Sequence, residues 1–112
     1  MTGAPAIATV YAAFAGEAEA RRIGRAMVEE GLAACVNILA PCRSVYRWRG
    51  GIEEASEVPA LFKTRADMAE RLIERLAALH SYEVPAIALW PIERAFPPYA
   101  QWVKESVGGG ES

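Results

Sequence analysis

The first third of the chain switches between the two periods that distinguish strands from helices. Residues 6–12, AIATVYA, form an apolar run of strand length. In the following segment, 16–31, apolar side chains recur at helical spacing, and Gly31 suits the left-handed end of a helix. Residues 32–39, LAACVNIL, then form a second apolar run. The pattern therefore predicts a strand, a helix and a buried strand.

The middle of the chain predicts a long hairpin. Residues 43–49, RSVYRWR, place arginine and aromatic side chains on opposite faces of a strand. The Gly-Gly pair at 50–51 is the predicted two-residue turn. That turn would set Arg47 opposite Glu54, a favourable charge pair. Pro59 lacks the N–H that a sheet ladder needs, so we expect a bulge or an unpaired edge there.

The last third of the chain predicts a helix, a strand and a further helix. Thr64 and Asp67 resemble a capping box, with Asp in place of Glu, and the helix continues to residue 80. Residues 84–92, VPAIALWPI, form an apolar run of strand length. The proline pair at 97–98 suits the first turn of a last helix.

This order of elements predicts an α+β fold. Strand, helix, strand, strand, helix and strand, joined by right-handed crossovers, form the ferredoxin-like βαββαβ sandwich, with one antiparallel sheet and helices on one face. A long central hairpin and an extra C-terminal helix are added to it. The chain of 112 residues is one domain, 1–112. We expect an ordered core over about 6–107 and a flexible tail, GGGES, at 108–112.

The predicted hairpin is longer than the strand beside it. At about 3.3 Å per residue, arms of a dozen residues extend well past a seven-residue neighbour. The extension carries Tyr46, Trp48 and Ile52. Because exposed aromatic groups and free edges favour pairing with another chain, we predict a homo-oligomer, with Tyr99 and Trp102 of the last helix also in its interface. The alternative is that this helix folds back and covers the hairpin within one subunit.

Composition excludes several classes of function. With 53% hydrophobic residues, 23% charged residues and a net charge of −2, the chain lacks the positive field expected for binding nucleic acid or an anionic membrane. No apolar run approaches the roughly 20 residues that span a bilayer. The start of the chain, MTGAPAIATVYAAF, lacks the basic region of a secretory signal. We therefore expect a cytoplasmic protein that binds neither nucleic acid nor a membrane.

Candidate chemistry is sparse. Cys35 and Cys42, the only cysteines, have a spacing that matches no zinc or redox motif. His80, the only histidine, stands three residues before Glu83 in LHSYEVPAI, so this pair is a candidate metal site; alternatively, His80 closes the preceding helix. Asp67 and His80 lie at opposite ends of one predicted helix, about 20 Å apart, and cannot share a catalytic triad. We predict no enzyme activity.

Several motifs together resemble those of the CutA family of divalent-cation tolerance proteins. They are LAACVNI, SVYRWRGGIEEASEV, FKTRADMAERLIERLAALHSYEVPAI and YAQWV. The resemblance spans roughly residues 6–107. The chain departs from the family pattern at Ser81, which replaces a proline, at Ala86, which replaces a glutamate, and at Pro59, which replaces an aliphatic residue. The first strand also reads TVYAAF where the family pattern ends in T-x-P.

The resemblance implies an assembly and a function. It implies a homotrimer whose long hairpins cross between subunits, and a link to copper or other divalent cations, with no required cofactor. Near the implied subunit junction, Glu57, Lys63 and Tyr82 are candidates for a small-ligand pocket. We therefore predict a trimeric cytoplasmic protein of divalent-metal (copper) tolerance that acts through weak metal binding. The alternatives are a trimeric signalling or scaffold protein that binds a small ligand or protein partner, and a hydrolase of the acylphosphatase type.

Overall fold

The computed structural model describes residues 6–108. Its main elements, in chain order, are β1 (Ile7–Phe14), α1 (Glu17–Glu29), β2 (Cys35–Ile38), β3 (Cys42–Trp48), β4 (Gly51–Arg65), α2 (Ala69–Leu79), β5 (Ile87–Pro91) and α3 (Pro97–Ser106). A 3-10 turn, Ala66–Met68, precedes α2. Residues 109–112 of the predicted tail lie outside the described residues. None of the helices within 6–108 is long and apolar enough to cross a membrane.

The five strands form one antiparallel sheet. Hydrogen-bonded neighbours run in the order β2, β4, β1, β5, and β3 pairs with the remaining half of β4. With α1 and α2 on the same face, this is the strand order of the ferredoxin-like sandwich, in which β2 and β3 together form the first arm of the long hairpin. The predicted fold class is therefore confirmed.

The main core lies between this sheet and the two helices. Alternate positions of β1 and β4 face the helices, because side chains along a strand alternate in direction. Phe14 and Phe62 are both fully buried there, with ring centroids 6.4 Å apart. Burying one such ring contributes about 2 kcal/mol. The other buried members are Ala8, Val10, Ala12, Ala20, Ile23, Met27, Leu32, Ala33, Val58, Ala60, Ala69, Leu72 and Leu76.

A smaller cluster lies on the opposite face of the sheet and holds α3. Ile7 at the start of β1 packs there with Ala100 and Val103 of α3. Ile7 is opposite Arg65, whereas the hairpin leaves the sheet at the other end of β1. The two places are seven residues apart along β1, or about 23 Å. The alternative that α3 folds back over the hairpin within one chain is therefore wrong.

The hairpin turn lies one residue earlier than predicted. Trp48 pairs with Gly51, so the two turn residues are Arg49 and Gly50, with φ angles of 50° and 86°. Two consecutive positive φ angles define the type I′ turn, whose twist matches that of the strands. Because of this register Arg47 faces Ile52, and the predicted pairing of Arg47 with Glu54 is wrong.

Pro59 lies where the arm opposite β4 is interrupted between β2 and β3, so the predicted bulge or unpaired edge is confirmed on that side, with the three residues 39–41 opposite Val58 and Pro59. Pro59 is buried and stands opposite Ala13 of β1 in an unbroken ladder. Its carbonyl accepts a hydrogen bond from the Leu39 N–H at 2.9 Å, just after β2 ends. The missing N–H therefore faces the break between β2 and β3, where no ladder hydrogen bond is needed.

The capping box predicted from Thr64 and Asp67 is absent. Thr64 belongs to β4, is fully buried, and donates its hydroxyl hydrogen bond to the Leu32 carbonyl at 2.7 Å. Asp67 pairs with Arg65, whose Nε lies 2.9 Å from the Asp67 Oδ1. The helix itself begins only at Ala69. Thr64 is therefore a strand residue and does not cap the helix, although the local sequence also suits a helix start.

The hairpin extends beyond the body of the protein, as predicted. β1 ends where Phe14 faces Val58, so residues 51–57 of β4 pair with β3 alone. Val45 and Ile52 on one face of this extension are 63% and 67% exposed. A two-stranded ribbon with exposed apolar groups is at best marginally stable in water. Its position must therefore depend on contacts outside its own ladder.

Candidate functional site

Several elements meet where β1 ends and the hairpin begins. Residues 80–86, which we call the connecting loop, lead from α2 to β5 across this junction and contain no helix or strand. The far end of the loop is fixed by the Ala86 carbonyl, which accepts a hydrogen bond from the Ala13 N–H at 3.2 Å. The side chains at 80–83 make the remaining contacts of the site.

His80 is a buried residue that ends α2. Its Nδ1 accepts a hydrogen bond from the Tyr82 N–H at 3.1 Å. Nε2 therefore carries the proton of the neutral ring and donates to the Ala13 carbonyl at 2.7 Å. The ring stacks on Phe14 with centroids 4.9 Å apart. Both ring nitrogens are thus already hydrogen-bonded, which matches the interpretation of His80 as a helix-closing residue.

Glu19 of α1 binds the next residue of the loop. Its carboxylate accepts hydrogen bonds from the Ser81 N–H at 2.9 Å, from the Ser81 hydroxyl at 3.1 Å and from the Ala15 N–H at 3.4 Å. Partial burial raises the pKa of Glu19, but these hydrogen bonds outweigh it and hold the pKa below its ordinary value. A proline at position 81, as in the family pattern, could make neither Ser81 bond.

Tyr82 joins the loop to the root of the hairpin. Burial, followed by a hydrogen bond to Glu57 and the charge of that carboxylate, raises the pKa of Tyr82 to about 12. Burial also raises the pKa of Tyr11, with further contributions from Cys42 and Glu57. Cys42 stands directly opposite Glu57 in the hairpin register. Two phenols, a thiol and a carboxylate therefore gather at this point, and the Glu57 carboxylate disfavours the charged forms of both phenols.

Glu83 pairs with the hairpin turn and not with His80. Its Oε1 lies 2.8 Å from the Arg49 Nη2, in an ion pair whose side chains are 72% and 68% exposed. The structure therefore does not bring His80 and Glu83 together as metal ligands. Among residues 6–108, no group of three His, Cys, Asp or Glu side chains is arranged to hold a metal ion.

Within one chain, the residues of the predicted ligand pocket lie in two places. Glu57 and Tyr82 are in contact. Lys63 stands six residues further along β4, about 20 Å away, since each strand residue advances about 3.3 Å. Its ammonium group donates a hydrogen bond to the Asn37 side-chain carbonyl. Lys63 therefore lies outside the group formed by Glu57 and Tyr82.

Sequence reasoning missed three contributors to this site, namely Tyr11, Glu19 and Arg49. Tyr11 alternates with core residues of β1, so its face was predictable, although its reach toward the hairpin was not. The only sequence signal for the role of Glu19 was Ser81 in place of a proline, because serine adds an N–H and a hydroxyl that can donate to a carboxylate. Arg49 contacts the loop only because the turn lies one residue earlier than the glycine pair indicates.

The residues predicted for the oligomer interface lie in two separate places. Tyr46 and Trp48 share the hairpin face that carries Glu57, while Ile52 is on the other face. Tyr99 and Trp102 stack on each other on α3, with centroids 5.9 Å apart, and Trp102 is 45% exposed. A second chain would have to contact both places to cover all five residues.

The fold and the junction together define a class of protein, the α+β sandwich with a protruding central hairpin. A family model described as CutA1 divalent ion tolerance protein matches residues 8–106. The chain belongs to this family, and the resemblance inferred from its motifs is confirmed.

Relatives and solved structures agree with this assignment. The Divalent-cation tolerance protein CutA of Thermus thermophilus is 45% identical over 92 residues, which are 82% of this chain and 89% of that protein. A solved structure of the divalent cation tolerance protein (Cut A1) from Thermus thermophilus has a TM-score of 0.87 at 41% identity, and covers 91% of this chain and 99% of its own. Protein CutA of the mouse is 42% identical over 87% of this chain, which spans only 56% of the mouse protein.

Proposed function

We propose that this protein is a homotrimeric, cytoplasmic protein of divalent-cation tolerance, with copper as the cation, and that it acts by weak metal binding and not as an enzyme. Family membership supports the tolerance role, since the bacterial relatives are named divalent-cation tolerance proteins. The observation that carries the assembly is the overhanging hairpin, which the chain's own core leaves uncovered.

Exposed apolar side chains support a trimer formed through the hairpin. Val45 and Ile52 are both more than 60% exposed on one hairpin face, and Trp90 at the sheet edge is 48% exposed. An obligate assembly buries such groups in its interface. We therefore propose that the hairpin of one subunit lies against the sheet of the next, around a threefold axis.

Two unpaired cysteines support a reducing compartment. Cys35 and Cys42 are both free thiols. Their partners on β4, Lys63 and Glu57, are six residues apart, so the two thiols are about 20 Å from each other along the sheet. Free cysteines are the ordinary state in the cytoplasm. Detection of the protein after cell fractionation tests the compartment, and its appearance only in an exported fraction would contradict it.

Copper binding is proposed to be weak because one chain offers few unoccupied ligands. Binding at His80 would require the loss of one of its two hydrogen bonds. Cys42, by contrast, is exposed and stands opposite Glu57. Thiolate and carboxylate groups both bind copper, but two ligands from one chain do not make a strong site. Ligands from more than one subunit would then complete it.

The test of this proposal is a calorimetric copper titration of metal-free, tag-free protein under anaerobic conditions. Saturable binding that weakens in Cys42→Ser or His80→Ala supports a direct role and identifies the ligand. Cys35→Ser is the matched control, because Cys35 is half-buried and pairs with the Tyr99 hydroxyl at 3.7 Å. The absence of saturable binding in the wild-type protein would contradict direct copper binding.

A trimeric signalling or scaffold protein remains the second candidate. Tyr11 and Trp90 stack with centroids 5.3 Å apart, and Tyr11 lies near the Glu57 carboxylate. Aromatic faces beside a carboxylate suit a small organic cation. A rise in melting temperature with arginine or tetramethylammonium, unchanged by a metal chelator and lost in Glu57→Gln, would support this candidate. An equal rise in the melting temperature of Glu57→Gln with the same cations would contradict this candidate.

A further inference from the structure

Four consecutive residues of the connecting loop bind four different parts of the molecule. The His80 ring binds the end of β1 through the Ala13 carbonyl. Ser81 binds Glu19 of α1. The other two residues contact the two ends of the hairpin, as Tyr82 contacts Glu57 at its root and Glu83 pairs with Arg49 at its turn.

We propose that residues 80–83 form a strap that fixes the direction of the hairpin relative to the body, so that loosening the strap at α1 also loosens the hairpin at its turn. This conformational device goes beyond the proposed function and does not require it. It concerns contacts within one chain, whereas the assembly concerns contacts between chains.

The hairpin needs such a device because it leaves the sheet unsupported. Residues 51–57 pair with β3 alone, and both faces of this ribbon carry exposed side chains. Strands twist, and a two-stranded ribbon twists more freely than a wide sheet. Contacts at both the root and the turn restrict that motion far better than a contact at the root alone, because they fix two points on one rod.

The strap is firmly held at the body. His80 is 8% exposed, stacks on Phe14 with centroids 4.9 Å apart, and contacts the tilted Tyr82 ring at 4.7 Å. The Glu19 carboxylate holds both the N–H and the hydroxyl of Ser81. Hydrogen bonds to a charged group are about twice as strong as neutral ones. The exposed pair of Glu83 and Arg49 is therefore the weakest link of the strap.

Hydrogen exchange of the hairpin amides tests the proposal. Glu19→Gln removes the charge that holds Ser81, yet Glu19 makes its hydrogen bonds to Ser81 and Ala15 and not to the hairpin. We expect Glu19→Gln to raise exchange in β3 and residues 51–57 by about two- to fivefold, the effect of a hydrogen bond worth about 0.5–1 kcal/mol. Amides of β1 should change less, which separates this effect from global unfolding.

Two matched comparisons sharpen the test. Glu17→Gln changes a neighbouring glutamate of α1, whose partner Arg21 lies 3.8 Å away on the same exposed helix face, and should leave hairpin exchange unchanged. Ser81→Ala keeps the N–H donor, whereas Ser81→Pro removes it. The proline variant should therefore raise hairpin exchange more than the alanine variant does.

Exchange at two protein concentrations distinguishes the strap from the assembly. Opening of the hairpin by subunit dissociation depends on protein concentration, whereas release of the strap does not. Equal hairpin exchange in wild-type protein, Glu19→Gln and Ser81→Pro at both concentrations would overturn the strap, whatever the oligomeric state. A concentration-independent rise in the variants supports it, even if the protein proves to be a monomer.

Discussion

The two halves of β4 occupy opposite environments within one continuous strand. Residues 58–65 pair with β1, residues 60–63 among them also pair with β2, and their core-facing side chains are at most 4% exposed. Residues 51–57 pair with β3 alone, and Ile52 among them is 67% exposed. Both halves are extended, and each pairs antiparallel with at least one neighbouring strand. The difference therefore lies in what covers them.

This contrast shows that secondary structure alone does not stabilise a strand here. The half at 58–65 is held by its own chain, through two neighbouring strands and two helices. The half at 51–57 depends on contacts that its own ladder does not supply, which we propose are the strap at 80–83 and a neighbouring subunit. Substitutions in the buried half should therefore change the free energy of unfolding, whereas substitutions in the exposed half should mainly change hairpin amide exchange and subunit association.

The largest expected effect is in the buried half. Phe62→Ala should lower the free energy of unfolding by about 3–5 kcal/mol, because it removes a fully buried ring and leaves a cavity beside Phe14. Ile52→Ala should change the unfolding of a single chain by less than about 0.5 kcal/mol. Denaturant unfolding measures both variants. Comparable losses in the two would remove the contrast between the halves.

A smaller loss is expected at Thr64, which joins β4 to the segment before β2. Thr64→Val should lower the free energy of unfolding by about 1–3 kcal/mol, because the buried Leu32 carbonyl loses its donor while the side-chain shape is kept. Thr64→Ser keeps the donor and loses only a methyl group, worth about 1 kcal/mol. If valine proves no more damaging than serine, this hydrogen bond does not stabilise the buried half.

The hairpin turn offers a test in the exposed half. Gly50→Ala should cost about 1–2 kcal/mol, since Gly50 has a φ angle of 86° and L residues are strained there. Gly51→Ala is the control, because its Cβ would meet the Trp48 carbonyl at an ordinary 3.9 Å. Unfolding and amide exchange of the hairpin measure both. Equal effects would mean that the turn geometry does not determine the hairpin.

The smallest expected effect depends on pH, through Glu19. The folded-state pKa of Glu19 is lowered, so its contribution to stability is complete above the unfolded-state value of about 4.3 and is lost as the pH falls through the folded-state pKa. Glu19→Gln should therefore be less stable than wild type by about 1 kcal/mol at pH 7, and nearly equal to it in strong acid. A difference that is independent of pH would contradict this assignment.

The body of the fold was predictable because its hydrophobic pattern and its element order agree. Strands at 7–14 and 35–38 and both main helices lie within a few residues of their predicted places. Pro59 was also predictable, because a residue without an N–H suits the interruption between β2 and β3 at which it lies.

The candidate site was less predictable because it depends on register and on contacts distant in sequence. A shift of the turn by one residue brought Arg49 to Glu83 and separated Arg47 from Glu54. Glu57 and Tyr82, grouped through the family resemblance, are in contact, whereas Lys63 lies about 20 Å away within the same chain. A pocket that joins all three across subunits stays a prediction. The assignments of metal and partner remain predictions.

The central claim is that the exposed half of the hairpin is completed by another chain. Its most direct test is the molar mass in solution, measured by light scattering during size-exclusion chromatography, for wild-type protein and Ile52→Glu. We predict a wild-type mass three times that of the 12.1 kDa chain, and a lower mass for the variant, in which a charge enters the proposed interface. A wild-type protein with the mass of a single chain, at concentrations where the hairpin remains folded, would contradict the claim.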